Sequence, residues 1–393
     1  MKTFNKRELT VRIEKIVPNG YGLAFAEGLT VFVALAAAGD KLRVRLREKK
    51  GKIAFAEIVE ILEPSSDRAA PECRYFGRCG GCDFQQLNYA AQLAAKLGII
   101  RDCLTRIGKI NYEKEIEIIV SPQPYKYRSR AQWHADTRAR KLGYFKRYSH
   151  EIIDVENCPI LDDTLEKTLE NFRRNLNWEE FWAEKIEIET ASAEREVSVY
   201  SNELIEPTRE ISFTARGEKY LYDAGIFFQG NQFLIERLID LATTGASGAN
   251  ALDLFCGVGL FSLPLARKFT KVFGIEASER AIEFAQKNAE NARLANVEFF
   301  AENVGDFLNE NKLENIDFVL LDPPRAGAER ETIEAILRLN PKQISYVSCD
   351  PATLARDLKI LTESLYQIES IAALDLFPQT HHVETVARLN RKS

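Results

Sequence analysis

Four apolar runs in the second half of the chain stop at a short polar or glycine-bearing turn: "ALDLFCGVG", "KVFGIEAS", "IDFVLLDPPRAG" and "ISYVSCDPATLARDL". Short continuous apolar runs are strands buried on both faces, and from Gln229 onward such runs alternate with helical segments without a long loop. That pattern predicts a parallel sheet covered on both sides by helices. Sheets of this kind place their chemistry at the carboxyl ends of the strands. The residues that terminate the four runs are therefore the first functional candidates.

The first run enters a turn containing Gly257 and Gly259 and then a helix, an arrangement that lets backbone approach a ligand at a helix N-terminus. A dinucleotide site calls for a third glycine at position 262, where Ser262 stands. Glu276 ends the second run and is suited to ribose hydroxyls. A glycine turn and a ribose acid without the pyrophosphate glycine fit S-adenosylmethionine better than NAD. "AEN", ending in Asn303, follows a third strand where adenine would lie. The fourth strand closes on Asp322-Pro323-Pro324-Arg325, whose prolines stiffen the turn.

The last run puts Cys349 between a strand and a helix that begins with Asp350 as N-cap and Pro351 in the first turn, with Leu354, Leu358, Leu361 and Leu365 as its buried stripe. A helix N-terminus favours thiolate, so Cys349 is expected to ionise more readily than a free thiol and to act as a nucleophile. Beside a methyl donor, a thiolate can add to carbon 6 of uracil and make carbon 5 nucleophilic. A base must then take the proton from carbon 5. "THHVETVARL" supplies Glu384 for that role, with His382 as the second choice.

The rest of the chain divides in two. Five or so short strands before residue 64, among them the alternating "KLRVRLR", predict a small barrel of the oligonucleotide-binding type, with Arg43 and Arg45 on a cationic face. Residues 65–215 hold a helix near Tyr89–Ile107, with Leu93, Leu97, Ile100, Leu104 and Ile107 inward and Cys103 in the core, then β-like runs such as "EIEIIV" and a helix near Leu161–Asn175. Residues 216–393 form the sheet-and-helix domain. The net charge is −5, yet residues 1–60 carry 12 Lys/Arg against 7 Asp/Glu and residues 121–150 carry 8 against 1. Two basic blocks on an acidic body suggest a polyanion footprint, with Lys126, Arg128, Arg130 and Arg138 among aromatic residues where RNA bases would stack.

Seven cysteines in a long chain speak against a disulfide framework. "CRYFGRCGGCDF" spaces Cys73, Cys79 and Cys82 around glycines, and Cys158 follows downstream before a proline. Four thiolates suit zinc or an iron–sulfur cluster; the spacing is not that of a zinc ribbon and favours a 4Fe-4S cluster, expected to act as a structural staple. No apolar run is long enough to cross a membrane, and a cytoplasmic protein is expected.

In order along the chain, "DLFCGVGLFSLPLA", "LLDPPRAG", "YVSCDPATLARDL" and "HHVETVARL" resemble the RNA uridine-5-methyltransferases of the TrmA/RumA type. The N-terminal strands are similar to their TRAM domain and the four cysteines to their iron–sulfur motif. The resemblance implies 5-methyluridine formation in RNA by a monomer using S-adenosylmethionine. Cys349 would be nucleophile, Glu384 base, Asp322 would lie between cofactor and target, and Gln229, Phe255, Glu276 and Asn303 would line the cofactor site. Possession of both barrel and cluster favours 23S rRNA over uridine 54 of tRNA. The competing expectations are an amino-methyltransferase, since Asp-Pro-Pro also serves exocyclic nitrogen, and a non-enzymatic RNA-binding or chaperone protein.

Overall fold

The computed structural model describes residues 7–180, 183–203, 208–310 and 313–392. Its largest sheet has eight strands, in the spatial order Val297–Ala301, Phe269–Glu276, Gly248–Leu254, Ile316–Leu321, Gln343–Ser348, Glu384–Arg391, Tyr366–Leu374 and Glu117–Ile119. The first five are mutually parallel, and Glu384–Arg391 runs antiparallel between Gln343–Ser348 and Tyr366–Leu374. The order reverses between Gly248–Leu254 and Ile316–Leu321, which opens a crevice at their carboxyl ends. Helices Glu279–Asn291, Arg330–Leu339 and Pro351–Glu363 bury apolar faces on this sheet, as the alternation of runs predicts. Leu354, Leu358 and Leu361 are buried, whereas Leu365 lies beyond the helix end and is exposed.

The N-terminal residues form a six-stranded sheet in the order Glu8–Arg12, Lys41–Lys50, Ile53–Glu63, Leu29–Val33, Tyr21–Ala26, Lys15–Val17. Backbone bonds from Ile13 to Asp40 and from Glu14 to Leu23 curl it back on itself. Leu42, Val44 and Leu46 face its interior, as their alternation requires. A third sheet, of five strands, is built on Arg130–Asp136 and Lys185–Ala193 and covered by helix Asp163–Asn175.

Three expectations from the sequence need correction. The helix from Tyr89 ends at Cys103 and passes into a π turn, Leu104–Gly108, and its inward face holds Gln92, Lys96, Ile99, Ile100, Cys103 and Leu104. Ile107 is exposed. The run "EIEIIV" does not join the middle sheet: Glu117–Ile119 pairs in parallel with Ala372–Leu374 at the edge of the large one. The boundary expected at residue 215 falls inside a hairpin, Ile211–Ala215 with Glu218–Tyr222, whose core side packs on the catalytic half.

Candidate active site

Strand register builds the centre. Ser348 pairs with Thr385 across an antiparallel ladder, so one step further along each strand Cys349 lies opposite Glu384. The neighbouring strand ends at Leu321, and the following Asp322 donates its N–H to the Leu254 carbonyl at 3.2 Å. Nucleophile candidate, base candidate and Asp322 thus stand on three adjacent strand ends. Glu384 is buried. Burial and the Asp322 charge raise its proton affinity well above the carboxylate range, with Arg325 opposing. Burial likewise lifts Asp322 to about 7.

The Cys349 thiol departs from expectation. Burial, and next the Glu384 charge, push it up to about 12; Arg325 pulls the other way. The helix that should have favoured thiolate is already answered: the Asp350 carboxylate accepts the N–H groups of Ala352 (2.8 Å) and Thr353 (3.1 Å). The N-cap read from the sequence consumes the positive helix end and adds a nearby negative charge.

The sequence reading left Arg325 without a role. Its guanidinium is the cation felt by both Cys349 and Glu384, and it lies 3.4 Å from the Nε2 of His382. His382 is held neutral, pushed down to about 2 by burial, His381 and Arg325. His381 bonds to Asp83. Neither histidine is a mere surface residue.

At the glycine turn, Gly257 (φ 53°) and Gly259 (φ 88°) adopt left-handed conformations, and Phe255 does so with a side chain (φ 64°). The Gly257 N–H reaches a Glu276 carboxylate oxygen at 3.3 Å, and the other oxygen accepts from Ser278. Ser262, in place of the third glycine, donates to Asp253 at 2.5 Å. Asp253 is fully buried and lifted to about 7 by desolvation, and its second oxygen has no hydrogen-bond partner among the described residues. Glu276 and Asp322 place carboxyl groups at the crevice, a setting for a cationic ligand. Asn303 accepts from Gly305 (2.8 Å) and Asp306, so its carbonyl oxygen caps the helix Val304–Glu310. Gln229 is buried in the loop whose Gly230 carbonyl accepts the Ser129 N–H.

Cys73, Cys79, Cys82 and Cys158 are unbonded thiols that line one cavity of about 30 Å³, with Arg128 among its walls. The chain around them is pinned: Gly80 N–H to Phe145, Arg147 N–H to Arg78, and the Arg147 side chain to the Cys82 carbonyl at 2.8 Å. Among the described residues no group of three or more His, Cys, Asp or Glu side chains stands close enough together to hold a metal ion.

The six basic residues chosen as RNA contacts are occupied within the protein. Arg43 pairs with Glu8 and Glu60, Arg45 with Glu8 and Glu57, Lys126 with Asp163 and Glu166, and Arg138 with Glu184. Arg130 donates to the carbonyls of Ala224 and Ile226. Arg128 is half-buried and donates its Nε–H to the Arg130 carbonyl. Of the six, Arg128 also lines a cleft of about 720 Å³ between the N-terminal sheet, the cysteine loop and the strands after Arg128, whose other walls the sequence reading did not name. Tyr21, Phe55, His134, Phe145 and Tyr148 line it, and Arg47 stacks over Tyr148 at 4.9 Å.

Strand order, antiparallel insertion and acidic glycine turn define a methyltransferase fold of the S-adenosylmethionine-dependent class. The family model described as tRNA (Uracil-5-)-methyltransferase matches residues 158–392, and the chain belongs to that family of RNA uracil-C5 methyltransferases. It is 32% identical to the 23S rRNA (uracil(1939)-C(5))-methyltransferase RlmD of Pectobacterium atrosepticum, over 98% of this chain and 94% of that protein. It is also 32% identical to an uncharacterized RNA methyltransferase of Thermotoga maritima, over 96% and 98%. Among solved structures, the tRNA (uracil-54, C5)-methyltransferase of Pyrococcus abyssi, in complex with S-adenosyl-L-homocysteine, superposes with a TM-score of 0.75. The identity is 26%, over 96% of this chain and all of that one. A tRNA enzyme therefore matches this architecture from end to end, and architecture alone does not separate rRNA from tRNA modification.

Proposed function

We propose that the protein methylates carbon 5 of a uridine in 23S rRNA, with Cys349 as nucleophile and Glu384 as base. The observation that carries the residue roles is the ladder register that sets these two side chains face to face beside Asp322. The identity to rRNA enzymes over nearly the whole chain supports the substrate.

In this mechanism the flipped uracil meets a protonated thiol. Its proton passes to Asp322, the carboxylate poised at about 7, as the Sγ–C6 bond forms and the C5=C6 electron pair becomes an enolate. S-adenosylmethionine supplies the electrophilic methyl group when bound, with Gly257, Gly259 and Glu276 as its cradle and Gln229, Phe255 and Asn303 around it. Carbon 5 takes that methyl group, and S-adenosylhomocysteine leaves. Glu384, its own proton released to solvent once Asp322 has been neutralised by the thiol's proton, removes the carbon-5 proton, the C5=C6 bond re-forms, and the thiolate is expelled. The high proton affinity of Glu384 makes it a strong base once ionised, and Arg325 tempers the charge.

The four cysteines suit a 4Fe-4S cluster. They line one cavity. Arg128 at its wall makes no ion pair with a carboxylate among the described residues, and a cluster held by four thiolates would supply the missing negative charge. Its role here is structural, in a TRAM-type barrel and iron–sulfur arrangement that offers the cleft beside Tyr21 and Tyr148 to RNA. The enzyme is expected to be a cytoplasmic monomer.

The test is incubation with S-adenosylmethionine and RNA containing 5-fluorouridine, whose fluorine no base can abstract. A denaturation-resistant adduct with a 23S rRNA fragment, absent in Cys349→Ala, is expected. Adduct formed only with tRNA would overturn the substrate, and adduct persisting in Cys349→Ala would overturn the nucleophile.

A further inference from the structure

The loop between strands Tyr366–Leu374 and Glu384–Arg391 delivers Glu384, and much of its anchorage comes from the segment next to the cysteines. The N–H groups of Asp83 and Phe84 both donate to the Gln379 carbonyl, at 3.2 and 3.0 Å. Gln92 and Gln379 are joined twice, side chain to side chain and side chain to backbone, each at 3.0 Å. Lys96 donates to the Phe377 carbonyl and pairs with Asp375 in full burial. The Asp83 carboxylate takes the His381 N–H at 2.8 Å with one oxygen and faces His381 Nδ1 at 2.5 Å with the other.

The N-terminal sheet closes over this pair. Gly20 has φ +72°, and a Cβ there would lie 3.1 Å from the His381 Cβ and 3.3 Å from an Asp83 oxygen. On the other side, the His381 ring lies 4.0 Å from that of His382, which reaches Arg325. Three separate parts of the chain meet at one hydrogen-bonded pair, three residues before Glu384.

We propose that Asp83 is a positioning residue for proton removal from carbon 5: through His381 it fixes the path by which the chain enters Glu384, and so ties the cysteine loop to the last chemical step. Cys82 precedes Asp83 directly, so whatever holds Cys82 also holds the anchor of the base. Attack by Cys349 and methyl transfer do not need this link, because the strand before Cys349 is also held in parallel against Ile316–Leu321 and the turn after it by the Asp350 cap. The inference rests on Glu384 being the base, and the experiment separates the two.

Asp83→Ala and Glu384→Gln are compared with the natural protein on RNA carrying tritium at carbon 5 of uridine. Methyl transfer, tritium release and denaturation-resistant enzyme–RNA adduct are followed in single turnovers. Glu384→Gln should transfer methyl, stop releasing tritium and accumulate adduct; failure of this control overturns the assignment of the base. Given that control, Asp83→Ala should transfer methyl within about twofold of the natural rate, release tritium about ten- to a hundredfold more slowly, and accumulate adduct. Asp83→Asn, which keeps one acceptor for the His381 N–H, should fall between. Methyl transfer and tritium release declining in parallel, or both unchanged, would overturn the proposal. Should Asp83→Ala not fold, His381→Gln removes the same link from its other end, and the same split or its absence decides.

Discussion

Replacing Arg325 by alanine tests the electrostatics of the proposed nucleophile, Cys349, directly. Burial and Glu384 set the Cys349 thiol at about 12, against an ordinary value of 9.0. At pH 8 about one molecule in ten thousand then carries the thiolate, instead of about one in ten. A thiolate of higher proton affinity is intrinsically more nucleophilic, with a Brønsted slope of about 0.45, which restores about twentyfold of that thousandfold deficit. Cys349 of the free protein should therefore exchange with a small disulfide, such as 4,4′-dithiodipyridine, about fortyfold more slowly than a free thiol of ordinary acidity. Its rate should rise about tenfold per pH unit to beyond pH 10. Arg325→Ala removes the cation that favours thiolate among the described residues and should slow exchange at least about threefold further; Glu384→Gln should speed it. The assay is mass-spectrometric quantification of the Cys349 peptide against time and pH. Fast labelling that levels off below pH 8, or acceleration in Arg325→Ala, would refute the reasoning.

Further outcomes are expected from the same structure. Asp253 is buried with its proton affinity raised to about 7, so its stabilising share is whole below about pH 4 and lost as pH rises through 7. Asp253→Asn, which keeps an acceptor for Ser262, should gain stability relative to the natural protein by a few kcal/mol between pH 5 and pH 8; an equal effect at both pH values in urea unfolding would count against the buried proton. Lys96→Met strands the Asp375 charge in the core and should cost about 3–5 kcal/mol, while adding Asp375→Leu should recover part of it; simple additivity of the two in denaturant melts would rule out coupling. Arg47 stacks on Tyr148 and makes no ion pair among the described residues, so Arg47→Ala should lower the salt slope of RNA binding by about one. Arg43→Ala, its partners being Glu8 and Glu60, should leave that slope unchanged; a titration over salt concentration with the reverse ranking would exclude the cleft. Iron and sulfide analysis of anaerobically purified protein should give about four of each per chain and near zero in Cys158→Ser, with Cys103→Ser unaltered; a single zinc would sink the cluster.

The strands that end at the proposed catalytic residues were readable because each is a local apolar run with a polar terminus: Asp322, Cys349 and Glu384 could be named as candidates before any fold was known. What local pattern could not reveal was every feature whose partner is distant. The cationic face of Lys41–Arg47 looked free because its counter-charges, Glu8, Glu57 and Glu60, lie on strands that only folding brings alongside. The inward face of the helix from Tyr89 looked like a leucine stripe because Gln92 and Lys96 find their partners, Gln379 and Asp375, 287 and 279 residues later. The thiol was misjudged chiefly because its burial and the facing Glu384 are products of tertiary packing, and in part because of its own helix cap. The cap was recognised and the helix charge was counted, but not the cancellation of one by the other.

The edge strand Glu117–Ile119 has a practical implication for anyone who wishes to study the catalytic half in isolation. A fragment begun at Cys158, where the family match starts, or at residue 216 would lack that strand and the helix from Tyr89 that buries Ile99, Ile100 and Cys103 against the core. Backbone donors and acceptors of Ala372–Leu374 would be left bare beside a stripped apolar surface, an invitation to intermolecular pairing. The large sheet is completed only by strands from both sides of the middle segment, which leaves it after Glu117–Ile119 and returns at Gly248–Leu254.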